Sequence, residues 1–431
     1  MERESGGIRD VYIVDGSRTP FIKANCGPGP FSASDLAVAA GRALLLRQPI
    51  EPSSIDEVIL GCVMPAPEEA NIARVAALRL GCGKTVPAWT VQRNCASGMQ
   101  AVVSAADDIA IGRAEIVLAG GTEAMSRAPL LFDVPFVAWL AAFTKSRGLG
   151  KAAAITKFRP AMLSPVISLL RGLTDPTVGL SMGQTAEILA ERFSITRNEM
   201  DAFAHESHSK VIAGRLAGHF NEIETIYSPT SKFYSLDDGA REDSSMEALA
   251  KLKPVFDKPF GLVSAGNSAQ VTDGAVMLLL ASRDAVEKYH LPAICKVKET
   301  RWAGVDPAQM GLGPVHSMAE LLKANSLKAQ DIDYWEINEA FAAQVLAVLK
   351  AWPDRDYAKS ELGLDEPFES IPQNRLNVDG GAVAIGHPVG ASGARLILHL
   401  AKTLERNGAR RGVASLCIGG GQGGATLLER D

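Results

Sequence analysis

The sequence predicts an α/β protein with a largely parallel central sheet, built as two similar halves with a segment inserted into the first. Three observations carry this. Short apolar runs of strand type alternate with Ala- and Leu-rich helical runs in the first and last thirds of the chain. The order of elements in the first third returns in the last, down to its paired glycines. The middle of the chain breaks the alternation. At 431 residues the chain is also too long for one ordinary core.

Residues 11–14 (VYIV) read as a strand closed by Asp15-Gly16. Residues 33–46 read as a helix with Ser34 and Asp35 near its start. A strand at 57–60 (EVIL) and a helix at 71–80 follow. Residues 86–91 (VPAWTV) form the next strand and lead into Asn94-Cys95-Ala96-Ser97-Gly98. The Ala/Val-rich stretch 99–111 is a mostly buried helix ended by Gly112. Residues 115–119 (EIVLA) are a buried strand before Gly120-Gly121. In the last third, 331–337 (DIDYWEI) parallels 54–60 (SIDEVIL), and Ser392-Gly393 opens a helix as Ser97-Gly98 does. Gly408-Ala409-Arg410 leads into 413–416 (VASL) and Gly419-Gly420-Gly421, as Gly112-Arg113-Ala114 leads into 116–118 and Gly120-Gly121. Any two βαβ units look somewhat alike. The shared order and the double-glycine endings favour duplication.

The halves divide as 1–121 plus 259–285 and 286–431, with 122–258 inserted. Within the insertion, 129–173 is apolar with scattered cations: Phe132, Phe136, Trp139, Leu140 and Phe143 against Lys145, Arg147 and Lys151. The plainer reading is a segment packed on the core. The sharper one is an amphipathic surface that touches a membrane or a partner protein. A second insertion, 352–374, is polar and acidic and reads as a surface excursion.

A net charge of -5 and a charged fraction of 22% give no basic stripe, which speaks against nucleic-acid binding. A polyanionic ligand would need local positive charge. The cysteines Cys26, Cys62, Cys82, Cys95, Cys295 and Cys417 are widely spaced and form no CxxC pair. With a start that resembles neither a signal nor a transit peptide, they read as reduced thiols in the cytoplasm. No apolar run is long enough to span a bilayer.

Three glycine-punctuated segments can carry chemistry. Cys95 stands at a strand-to-helix turn, where unpaired N–H groups and the helix dipole favour thiolate. His387 follows Gly380-Gly381-Ala382-Val383-Ala384-Ile385-Gly386, just before a helix. Cys417 ends a strand and precedes Ile418-Gly419-Gly420-Gly421. Taken singly, each has a bland explanation: core packing for a cysteine, a structural role for a histidine, a turn for glycines. Core packing fits Cys26, Cys62, Cys82 and Cys295. No ligand spacing supports a metal at Cys95, His387 and Cys417. Gly419, Gly421 and Gly424 match GxGxxG, but too near the C-terminus for a following βαβ unit.

Together the segments resemble the thiolase family over nearly the whole chain. The resemblance is carried by residues 15–21 (DGSRTPF), 94–98 (NCASG), 119–126 (AGGTEAMS), 265–268 (AGNS), 273–275 (DGA), 338–342 (NEAFA) and the His387 and Cys417 loops. The two insertions resemble most closely the thiolase subunit of fatty-acid oxidation trifunctional complexes. The resemblance implies the thiolase fold, an α-β-α-β-α layering of the two halves with an inserted loop domain. It also implies a homodimer or tetramer and CoA thioesters as substrates, with no permanently bound cofactor and no metal. A hydratase/dehydrogenase subunit is a further candidate partner, and the amphipathic reading of 129–173 adds peripheral membrane contact.

By the same resemblance, Cys95 is the nucleophile that forms an acyl-enzyme and His387 the base that activates it. Cys417 is the acid that protonates the departing acetyl-CoA enolate, and the base in condensation. One thioester oxygen faces His387 and a water held by Asn338; the other faces the N–H groups of Cys95 and Gly419. Met182, Lys253, Ser268, Ala269 and Phe341 align with CoA-facing positions. Ala269 replaces a common serine, Lys253 a common arginine, and Ser181 stands where a histidine often precedes the methionine. His316, in place of a proline, has no assigned role. The expected activity is thiolytic cleavage of 3-oxoacyl-CoA in fatty-acid β-oxidation. The alternatives are acetyl-CoA acetyltransferase, then a carrier-protein-dependent 3-oxoacyl synthase, which carries a histidine or asparagine where this chain has Cys417. A non-catalytic binding subunit is the remote one.

Overall fold

Strand β1 (Val11–Arg18) lies at the middle of one large sheet in the computed structural model, which describes residues 9–25 and 27–430. Readings that fell on residues 1–8 and on Cys26 lie outside the described residues. The strands that follow are β2 (Ile22–Lys23), β3 (Glu57–Gly61), β4 (Ala88–Val91), β5 (Ile116–Ala124), β6 (Leu130–Phe132), β7 (Pro165–Ile167), β8 (Ile226–Tyr227) and β9 (Phe233–Tyr234). Then come β10 (Thr272–Ser282), β11 (Cys295–Gly304), β12 (Tyr334–Ile337), β13 (Arg411–Ile418) and β14 (Gln422–Glu429). The sheet order is β12-β13-β14-β11-β1-β10-β5-β3-β4, with β2 also on β10.

The duplication is visible in this order. Reading outward from β1 gives β10, β5, β3; reading outward from β11 gives β14, β13, β12. Each series runs antiparallel, antiparallel, parallel. The halves join where Tyr12 pairs with Lys296 and Ile13 with Cys295. Leu376 bridges parallel to Trp335, the counterpart of β4 beside β3.

The expectation of a largely parallel sheet is corrected: among the strand pairs of the described residues, only β3–β4, β3–β5 and β12–β13 are parallel. The error has a physical source. Strand β10 is buried at every residue, because both its faces carry helices. Such a strand reads as one apolar run whatever its direction. Its Val276, Leu278 and Leu280 face one core cluster, while Ala275, Met277 and Leu279 face another. Strand β13 divides likewise between Ala414 and Leu416 on one side and Val413 on the other. Helices Ser97–Ala110 and Val389–Asn407 fill the shared middle layer, which produces the five layers.

Two glycine signals meant something other than strand ends. Strand β1 continues through Asp15-Gly16, with an irregularity between Ile13 and Asp15. Strand β5 continues through Gly120-Gly121. A Cβ on Gly121 would stand 2.0 Å from the Gly390 carbonyl oxygen, so the backbones touch there and only glycine fits. The two middle-layer helices also meet at glycines. A Cβ on Gly98 would lie 2.8 Å from Gly390 O, and one on Gly393 would lie 2.6 Å from Met99 N. This contact brings the starts of both helices together.

The segment 129–173 folds on itself. Strands β6 and β7 form a hairpin, and helix Val134–Lys145 has no buried residue. Trp139 stacks between Phe136 and Phe143 and touches Phe158. Leu130, Val134, Leu149 and Leu170 are exposed, which overturns the reading of a segment packed on the core. No described helix is long and apolar enough to cross a membrane. The second insertion is more than a surface excursion: Trp352 is fully buried, edge-on to Trp335 and stacked on Phe368.

Candidate active site

Cys95 sits just before helix Ser97–Ala110, in a turn that requires Asn94 to adopt φ 44°. Asparagine tolerates that conformation better than most residues. The turn is closed by Ser97, whose hydroxyl donates to Asn94 O at 2.7 Å and accepts from Arg93 N at 2.8 Å. Asn94 reaches across to the other half, donating from Nδ2 to Gly419 O at 2.7 Å. The N–H groups of Gly419 and of Cys95 itself lie close enough to the Cys95 sulfur to favour its ionised form. These are the two donors expected to hold an oxyanion.

His387 is nearly buried, between Gly386 at φ 98° and Pro388. Its Nδ1 lies 2.6 Å from Ser392 Oγ, and the Ser392 hydroxyl donates to Pro388 O at 3.0 Å. With its one hydrogen committed there, Ser392 accepts from Nδ1–H. That assignment leaves Nε2 as the lone-pair nitrogen. Asn338 Nδ2 faces Nε2 at 3.5 Å, in the same sense. Asn338 is fully buried and its Oδ1 has no protein partner. A buried amide oxygen of this kind suits a bound water or a substrate donor.

The protonation states follow from burial. Burial lowers His387 to about 4, with Arg395 adding to the effect, so the imidazole is neutral at pH 7. Burial also raises the Cys95 thiol, although the Gly419 and Cys95 N–H groups oppose it. The N–H groups favour thiolate as expected, and desolvation outweighs them in the resting site. Cys417 is almost fully buried, and burial holds its thiol far above the ordinary range, with Cys95 adding to the effect once it has ionised. The site rests with two protonated thiols and one neutral base. Cys62, Cys82 and Cys295 are buried free thiols, with burial pushing Cys82 to about 11 and Cys295 to about 12.

Cys95, Gly419, Gly420 and Met182 line a cleft of about 820 Å³ whose far wall includes Leu131, Phe132 and Leu169 of the inserted segment. A second cleft, of about 440 Å³, is lined by Ser268, Ala269 and Phe256. The Ala269 N–H donates to Ala340 O, and Phe341 packs edge-on against Phe256. The loop after Ala269 reaches the base, since His387 N donates to Gln270 O at 3.0 Å. Of the residues aligned with CoA-facing positions, Met182, Ser268 and Ala269 line clefts and Phe341 backs one. Lys253 is exposed and lines neither cleft. Lys23 and Arg241 line the second cleft instead. Sequence reading passed over them because the segments containing them carry no recognisable spacing. It also read Ser392 only as a helix start. His316 bonds Tyr357 Oη at 2.8 Å, a structural role. Among the described residues no group of His, Cys, Asp and Glu is arranged to hold a metal ion.

The chain matches the family "Thiolase, N-terminal domain" over residues 11–284 and "Thiolase, C-terminal domain" over residues 291–430. The chain belongs to the thiolase family. This thiolase is 40% identical over 428 residues to a beta-ketoadipyl-CoA thiolase of Pseudomonas knackmussii, covering 98% of this chain and 99% of the other. It superposes on human mitochondrial 3-ketoacyl-CoA thiolase in complex with CoA with a TM-score of 0.84 at 36% identity, covering 99% and 100% of the two chains. For the Bacillus anthracis acetyl-CoA acetyltransferase the TM-score is 0.83 at 35% identity, with the same coverage. The thiolase is therefore an acyltransferase of the CoA-thioester class, with the layered fold expected from its sequence.

Proposed function

We propose that this thiolase cleaves 3-oxoacyl-CoA with CoA, giving acetyl-CoA and a shortened acyl-CoA, in fatty-acid degradation. The observation that carries the reading is the division of labour among the buried groups. A neutral His387 faces the site through Nε2, a half-buried Cys95 opens into the large cleft, and a deeply buried Cys417 keeps its proton. His387 takes the Cys95 proton, and the thiolate attacks the 3-keto carbon. The bond between carbons 2 and 3 breaks, and Cys417 delivers a proton to carbon 2 of the enolate. The CoA thiol then takes the acyl group from Cys95.

Lys23 and Arg241 supply local positive charge for the phosphates of CoA, beside Ser268 and Ala269. The apolar wall of Leu131, Phe132 and Leu169 favours an acyl chain longer than acetyl. Thiolytic turnover of acetoacetyl-CoA and of a long-chain 3-oxoacyl-CoA tests the proposal. Both are expected to react. Turnover of the short substrate alone supports the acetyltransferase reading instead, and turnover of neither rules out the enzyme.

Strand β4 ends the sheet and, among the described residues, pairs only with β3, which supports a homo-oligomer formed through that edge. Exposed apolar residues on 129–173, with six Lys and Arg against Asp133, support contact with an anionic lipid surface or a multifunctional partner subunit. Co-sedimentation with anionic vesicles and co-purification of a hydratase/dehydrogenase separate these. The free cysteines support a reducing, cytoplasmic location.

A further inference from the structure

The motif at residues 119–126 has no part in the chemistry so far, yet its Glu123 is fully buried. Its four partners are three backbone N–H groups and one thiol, and none is a cation. Oε2 accepts from Val63 N at 2.9 Å and Gly390 N at 3.0 Å. Oε1 accepts from Met64 N at 3.0 Å and lies 3.5 Å from Cys62 Sγ. A buried carboxylate without a counter-ion is costly. Burial raises it to about 7, while the N–H groups oppose the rise.

These partners lie on two segments that meet beside the site, where a Cβ on Gly390 would stand 3.0 Å from Cys62 Cα. Val63 and Met64 line the Cys95 cleft. Gly390 is in the first turn of helix Val389–Asn407, whose N-cap Pro388 offers no capping side chain. Glu123 supplies the missing acceptor from β5, at the positive end of the helix. The same turn carries Ser392, which holds the His387 ring, and His387 precedes it by a single proline. A Cβ on Gly390 would stand 2.7 Å from Glu123 Oε2 and 2.6 Å from Thr122 O, so the approach is as close as glycine permits.

We propose that Glu123 is a positioning residue for thiolysis, clamping the His387–Gly390 turn to the Cys62–Met64 segment so that the imidazole stands correctly over Cys95. The proposal rests on the thiolase reading of this site. Each carboxylate oxygen accepts at least one N–H, so a glutamine must turn its NH₂ against an N–H whichever way it is placed.

The test is steady-state kinetics with acetoacetyl-CoA, together with single-turnover acylation, on wild type, Glu123→Gln, Glu123→Asp and Gly390→Ala. Wild-type turnover is measured first, because its absence defeats the thiolase reading rather than this one. Glu123→Gln is expected to lower kcat and the acylation rate by about 10–100-fold, the scale of a misplaced catalytic group. KM for CoA should change by less than about threefold, since the Ser268 cleft is not touched. Glu123→Asp keeps both acceptor oxygens and should lose less. Gly390→Ala keeps the carboxylate group but drives a Cβ against its Oε2 and against Thr122 O, should show the same split, and should be non-additive with Glu123→Gln. Unchanged kcat in Glu123→Gln overturns the proposal. So does a fall in kcat matched by lost CoA affinity and a lowered melting temperature. If Glu123→Gln does not fold, Gly390→Ala decides: normal kcat overturns the proposal.

Discussion

Asn94 Nδ2 donates to the Gly419 carbonyl oxygen at 2.7 Å and thereby ties the nucleophile turn of the first half to the glycine loop of the second. The two oxyanion donors, Cys95 N–H and Gly419 N–H, lie on the segments this bond joins. Asn94→Ala removes the bond and puts alanine at φ 44°. At about 1–2 kcal/mol for a partly buried hydrogen bond, kcat/KM should fall about tenfold. Unchanged kcat/KM would show that the glycine loop holds its place without Asn94.

Cys95→Ser should abolish acyl-enzyme formation, because serine's alkoxide is far harder to generate than the thiolate. Incubation with radiolabelled acyl-CoA followed by denaturation reads this directly. Label retained covalently on the variant contradicts the assignment of the nucleophile.

Cys417→Ser should lose proton exchange at carbon 2 of acetyl-CoA while acylation of Cys95 largely survives. Deuterium exchange followed by NMR, alongside acylation of the same sample, separates the two steps. Equal loss of both means that the roles of Cys95 and Cys417 are not divided in this way.

The resting site should behave as a neutral thiol beside a neutral imidazole. Burial raises Cys95 and lowers His387 to about 4, so neither ionises near pH 7. Alkylation by iodoacetamide should climb steadily from pH 7 to pH 9. A plateau already reached by pH 6 would instead indicate a preformed thiolate–imidazolium pair.

Stability should decline on the alkaline side because of His399. Its ring stands 3.2 Å from Glu222 and 3.1 Å from Asp379, whose bonds raise it to about 9 against the opposing effect of burial. The folded state then holds a proton that the unfolded state releases near pH 6.5. This contribution is complete below about pH 6.5 and is lost as pH rises through about 9. Urea unfolding at pH 6, 7.5 and 9 should show the fall, with a smaller slope in His399→Asn. Identical slopes for the two proteins would remove His399 as the cause.

Much of the architecture was legible in the residues because local chemistry decided it. The alternation of strands and helices, the repeat of 54–60 in 331–337, and the three glycine-flanked segments at Cys95, His387 and Cys417 all depend on near neighbours in the chain. The catalytic group came from a resemblance spread along the whole sequence; the structure sets Asn338 against His387, and Cys95 beside Gly419 in one cleft. What escaped the sequence depended on contacts between distant segments. Strand direction did so because β10 is buried on both faces and carries no alternation. The Gly120-Gly121 pair looked like a strand end because nothing nearby reveals that Gly390 presses on it. Desolvation decides the ionisation of Cys95 and His387, and it is a property of the packed interior. Glu123 needed the assembled fold most of all, since its partners lie some sixty residues earlier and far toward the C-terminus. A carboxylate's work is set by the donors that surround it, and only tertiary structure brings those donors together.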